Sequence, residues 1–145
     1  MCLDRIYTRE QLDECKQRMY LGPYPLAPCY KAVKIKGNRL IPLFNGMMHF
    51  APGWNNDPDY GHIQKHEFAP GYRKGFHCFT SRETAATYIN GRDTHKYRWR
   101  IVKVLIRESD VVAGGIQRSG VSLAHETIVV RSFYLPESEY KGVMK

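Results

Sequence analysis

Long apolar runs are missing from this 145-residue chain: no stretch approaches the roughly eighteen residues that a membrane-spanning helix requires, so a spanning segment is not expected. Cysteine is sparse and unpatterned. Cys2, Cys15, Cys29 and Cys78 include no C-x-x-C pair, and nothing at the start resembles a secretory signal, so free thiols in a reducing cytoplasm are expected rather than a disulfide framework. Acid is also in the minority, with 14 Asp plus Glu against 22 Lys plus Arg and a formal charge of +8. That balance points to polyanions, nucleotides or acidic protein surfaces as partners, without choosing among them. No phosphate-loop motif, paired zinc-ligand signature, internal repeat or low-complexity segment is present, so the sequence bounds function more firmly than it names it.

Local signals predict an α+β fold: a single domain over residues 1–145, with two helices on a mainly antiparallel twisted sheet. Thr8-Arg9-Glu10-Gln11 has the form of a capping box, Leu12, Cys15 and Met19 follow at helical spacing, and Tyr7 can act as a hydrophobic staple. Gly22, Pro23, Pro25 and Pro28 break that helix and lead into the strand Tyr30 to Ile35. Gly37-Asn38 marks a hairpin turn into Arg39 to Phe44, where Pro42 implies an edge. From about residue 45 to 72 no period persists, and a long irregular loop is expected there, serving as a lid, a recognition loop or ordinary packed surface.

Beyond this loop, Gly75-Phe76-His77-Cys78-Phe79 reads as a short buried strand, and Ser81 caps a helix that ends at Asn90-Gly91. Strands over Tyr97 to Arg107, Val111 to Ile116 and Thr127 to Leu135 follow, the last stopped by Pro136. In Lys96-Tyr97-Arg98-Trp99-Arg100 the strand period of two puts the cations on one face and the rings on the other, and Lys31, Lys34, Lys36, Arg39, Arg73 and Lys74 extend that field if the first hairpin is adjacent. The alternative leaves those rings in the core and the cations merely solvated.

Chemistry-bearing residues are scattered. His62 and His66 have i,i+4 spacing near Asp57 and Asp59, but the surrounding turn residues favour solvated histidines over a metal, so no metal or cofactor is assigned. Removal of Met1 would expose Cys2 as an N-terminal nucleophile, a reading set against Cys2 as a small hydrophobe. His125-Glu126-Thr127 places an acid near one end of the last strand.

The start Met1-Cys2-Leu3, the strand Tyr30-Lys31-Ala32-Val33 and the segment Gly75 to Phe79 with its helix together resemble small phage-encoded accessory proteins. This resemblance implies expression in the cytoplasm of an infected bacterium and a counter-defence role, such as sequestering an immune nucleotide or blunting a nuclease. A second resemblance is to the ADP-ribosyltransferase superfamily. There, a strand carrying Arg or His, a Gly-aromatic strand followed by a helix, and a late Glu surround nicotinamide dinucleotide; Tyr30 to Val33, Gly75 to Tyr88 and Glu126 look like these parts. Lys31 stands where that family has Arg or His, and His77 stands at its usual aromatic position.

The expected ligand is a nucleotide or other phosphorylated molecule. Lys31, Arg73, Arg98 and Arg100 would neutralise phosphate, while Trp54, Tyr72 and His77 would contact base or ribose. The enzyme alternative uses His77 and Glu126 on NAD, and a third reading is a basic inhibitor of a host defence protein or nucleic-acid-binding surface. A homo-oligomer is compatible with sequestration.

Overall fold

A computed structural model describes residues 3–20, 24–42, 48–57, 63–66, 69–73, 75–90, 98–119 and 123–145, with 63–66, 69–73, 119 and 123 described in backbone alone. In chain order the elements are β1 (Arg5–Ile6), α1 (Arg9–Met19), β2 (Leu26–Lys36), β3 (Arg39–Pro42), β4 (Gly53–Asn56), β5 (Ile63–His66), β6 (Ala69–Arg73), β7 (Phe76–Phe79), α2 (Arg82–Asn90) and β8 (Arg98–Arg107). A 3-10 turn at Glu108–Asp110 then leads to β9 (Val111–Ser119), β10 (Leu123–Val130), β11 (Ser132–Leu135) and α3 (Glu137–Val143). Nine strands form one antiparallel sheet, ordered β1-β9-β10-β7-β2-β8-β11-β4 with β3 added on β2, while β5 and β6 form a separate hairpin. No helix among the described residues is long and apolar enough to cross a membrane.

The α+β reading holds, but the fold has more sheet than expected and a third helix. Pro136 caps α3 rather than only ending a strand, because a fixed φ suits a helix entrance and Tyr140 N–H bonds its carbonyl. The expected irregular loop at 45–72 contains β4, β5 and most of β6, formed without alternating apolar residues: β4 takes its order from backbone pairing with β11, and β5 and β6 pair with each other. Likewise, the run expected as one strand to Leu135 bends at Arg131, and its halves join different neighbours.

Local chemistry accounts for the elements that were foreseen. Thr8 and Gln11 form the reciprocal capping box, with Gln11 N–H donating to Thr8 Oγ1 at 3.2 Å and Thr8 N–H to Gln11 Oε1 at 2.9 Å. Tyr7 and Leu12 then clasp Gly114, where a Cβ would lie 2.8 Å from Leu12 Cδ1. Gly37 has φ of +60°, and Asn38 does not share the positive φ, as in a hairpin whose first central residue is Gly. Thr84 N–H donates to Ser81 Oγ at 3.1 Å, satisfying an amide at the entrance of α2.

The sheet has two covered faces. One buries Cys29, Val33, Cys78, Val104, Ile128 and Phe133 beneath α1, whose Leu12, Cys15 and Met19 reach this cluster. On it Phe50, Phe76 and Phe133 meet edge to face, with centroids 4.9–5.6 Å apart. The other face places Ala32, Phe79, Trp99 and Ile101 under Ala85 and Tyr88 of α2. Gly75 permits the close passage expected of it: a Cβ there would sit 2.6 Å from Val130 O. Gly75→Ala should therefore cost about 1–3 kcal/mol, whereas Gly142→Ala, with nothing within 4 Å of its Cβ, should stabilise α3 by about 0.5–1 kcal/mol. Urea midpoints of the two variants check both signs.

Candidate functional site

The first hairpin and β8 are adjacent. Their ladder places Lys34 opposite Trp99, Ile35 opposite Arg98 and Val33 opposite Arg100, while Lys36 faces Arg39 across the turn. Arg98, Arg100, Lys36 and Arg39 are exposed at this end of the sheet. Arg98 and Arg100 share their strand face with Val102 and Val104, and Trp99 points to the opposite face, where it packs beneath α2. Lys34 Nζ lies 5.3 Å from the Trp99 ring centroid, so a cation sits over an aromatic face across the two strands. Arg100 Nη1 donates to Trp99 O at 2.9 Å, which holds its guanidinium near the strand.

Lys31 does not join that surface. It is buried, donates from Nζ to His77 O at 3.0 Å, and lies 5.4–5.9 Å from the ring centroids of Phe50, Phe76 and Phe133. Burial lowers its pKa, and a ligand at the surface cannot reach its ammonium group. The sequence placed Lys31 among phosphate ligands because strand parity cannot reveal which face a neighbouring phenylalanine cluster will cover.

His77 is half-buried on β7. Burial first, and the Lys31 charge second, push its pKa down to about 3, so it is neutral at physiological pH. Trp54 lies on β4 at the far edge of the sheet, away from Arg98 and Arg100. Tyr72 and Arg73 belong to the separate β5–β6 hairpin and are described in backbone alone, as is His66. Cys2, Asp59, His62, Lys74, Lys96 and Tyr97 lie outside the described residues. The seven expected ligand contacts therefore do not form one described site. Among the described residues no group of three His, Cys, Asp or Glu is placed to hold a metal.

Glu126 occupies a more elaborate position than its sequence indicated. Tyr7 Oη donates to Oε2 at 2.6 Å, Thr80 Oγ1 to Oε1 at 3.0 Å, and Arg18 forms two bonds at 2.8 and 3.1 Å. Burial alone would raise the Glu126 pKa, but the bonds from Arg18, Tyr7 and Thr80 outweigh it and hold the carboxyl below its ordinary value. The same carboxylate, added to burial, pushes Cys15 up to about 11 and leaves it an unreactive thiol. Arg18 has a partner 108 residues away and is itself exposed, and its only sequence signal is that it follows buried Cys15 by three positions on α1.

The three segments likened in sequence to parts of ADP-ribosyltransferases, Tyr30 to Val33, Gly75 to Tyr88 and Glu126, lie on neighbouring strands. β7, which leads into α2, lies between β2 and β10, with Tyr30 opposite Phe79 and Phe79 opposite Thr127. No family model matches the chain, and no match was found among curated proteins or solved structures.

The depressed His77 pKa makes a pH prediction. Between 6.5 and about 3 the unfolded histidine takes up a proton that the folded one resists, so this contribution to stability is lost as pH falls through that window. His77→Gln should flatten the fall in urea midpoint between pH 7 and pH 4; an equally steep fall would exclude His77 as its source.

Proposed function

We propose that the chain is a non-catalytic binding protein for a phosphorylated ligand of nucleotide type, held at the basic end of β2, β3 and β8. The observation that carries this reading is the ladder that gathers Arg98 and Arg100 on one face, and Lys34, Lys36 and Arg39 on the other, at the same end of the sheet, so that separate sequence segments build one cationic end. Phosphate oxygens gain most from closely spaced cationic donors such as the Arg98–Arg100 pair, and on the opposite face of the same end Lys34 lies over Trp99. Four donors already surround Glu126, which suits an anchoring role better than turnover. The three described cysteines are free and buried, as suits a cytoplasmic protein. Sequestration of a nucleotide signal by a phage-type accessory protein is the biological form this reading takes.

Native mass spectrometry of protein purified from bacterial cells should reveal a bound phosphorylated molecule. In calorimetric titrations with ADP-ribose as probe, the Arg98→Ala/Arg100→Ala variant should bind roughly tenfold more weakly or worse and with a smaller salt slope. Identical titrations for the variant and the unmodified chain would remove this surface from the binding site.

A second reading, an enzyme acting on NAD, is favoured by one specific arrangement: β10 brings Glu126 beside Thr80 at the end of β7, next to β2. There the carboxylate would bond a ribose hydroxyl and stabilise positive charge as the bond to nicotinamide breaks, provided that Arg18 moves aside. Nicotinamide release from NAD that is lost in Glu126→Gln would establish turnover. Binding of NAD without release would favour sequestration.

A further inference from the structure

Among the described residues, one row of the sheet remains open on the face that α2 covers elsewhere. Pro28, Leu105, Tyr134 and Trp54 stand opposite one another across β2, β8, β11 and β4. Residues in register point to the same face, and four neighbouring strands span about 14 Å. α2 packs farther along this face, against Ala32, Trp99 and Ile101. Pro28 is exposed, Leu105 and Tyr134 are half-buried, and Trp54 retains 43% of its surface in solvent. Trp54 and Tyr134 meet at 67° with centroids 5.5 Å apart. Together they form a small aromatic platform on a rigid sheet.

Cations flank the platform. Arg107 lies two residues from Leu105, and its guanidinium carbon is 4.1 Å from the Trp54 ring centroid. Its orientation is fixed by Asp110, a fully buried carboxylate that accepts from Arg107 Nε at 2.7 Å and from Arg131 Nε at 2.6 Å. The Asp110 bond uses only Nε, which leaves the two terminal nitrogens of the partly exposed Arg107 side chain for other acceptors. Lys103 is exposed two residues on the other side of Leu105. Acid is also near: Glu139 Oε2 accepts from Lys103 N at 3.3 Å, and exposed Glu108 follows Arg107 in the chain.

From this arrangement we infer that the Trp54–Tyr134–Arg107 surface binds unpaired single-stranded nucleic acid, stacking bases on the rings and taking phosphates on Arg107 and Lys103. The row has space for roughly two or three bases, a load that exposed sheet aromatics carry in RNA-recognition domains. Charge complementarity selects this occupant over an apolar protein partner, which would have to desolvate a guanidinium stacked at the centre of the patch. The surface is distinct from the basic end of the sheet: Arg107 is seven residues along β8 from Arg100, or about 23 Å in extended strand.

Fluorescence anisotropy of the full chain with a labelled oligothymidylate of about ten nucleotides tests the inference. The unmodified protein should bind with an affinity that falls steeply with salt. Trp54→Ala should bind roughly tenfold more weakly with its salt slope unchanged, Trp54→Phe should retain most of the affinity, and Arg107→Gln should lose affinity and about one unit of salt slope. A urea melt of each variant separates lost binding from lost folding, and Trp54→Phe serves as the internal control if the alanine variant is unstable. Absence of oligothymidylate binding would overturn the inference, as would unmodified affinity in Trp54→Ala or equal competition by duplex of the same length. Loss on Arg98→Ala/Arg100→Ala but not on Trp54→Ala would overturn it while leaving the basic-end reading intact.

Discussion

The sheet parts along β2, and the rest of the molecule is arranged around that parting. One edge of β2 pairs with β8 from Leu26 to Ile35. The other edge is shared: Tyr30 meets β7, and from Val33 onward β3 takes over. At the changeover β7 leaves β2, and Lys31 sends its ammonium group to the carbonyl of His77 while resting among three phenylalanine rings. A buried amine in place of ladder bonds is a costly solution, tolerated because an unpaired buried carbonyl costs comparably and the rings recover part of the charge energy. The side chain that appeared from its strand to be a ligand contact is part of the internal framework.

The chemistry that remains outside the core is divided among separate places. β8 carries arginines at both ends, with an apolar middle over the core, so it holds the two basic surfaces apart rather than merging them. Glu126 lies elsewhere, under α1, where its charge is already balanced by Arg18. The arginines of β8 are thus displayed towards its two ends, and two carboxylates are spent on ion pairs: Asp110 holds two arginines and Glu126 holds one.

What the sequence disclosed was local. The Thr8 capping box, the Gly37 turn, the Ser81 cap and the separation of Arg98 and Arg100 from Trp99 each depend on residues a few positions apart, and each is present. What it concealed was long-range. Gly53–Asn56 carries no strand pattern of its own and becomes a strand by pairing with Ser132–Leu135, while Tyr7, Arg18, Thr80 and Glu126 converge from distant parts of the chain. The candidate site suffered most, because cationic residues advertise charge but not depth: Lys31 and Arg98 look alike in sequence, and only packing separates them.

The attachment of the amino-terminal segment has a consequence for biosynthesis. β1 pairs with Ile116 and Gly115, Tyr7 N–H bonds Gly114 O, and Tyr7 and Arg18 converge on Glu126. Every one of these partners is translated more than ninety residues after the residue it holds. A nascent chain therefore carries α1 undocked from these partners until about a hundred further residues are made, with its apolar side chains Leu12, Cys15 and Met19 waiting for cover, so residues made early are among the last to find their places.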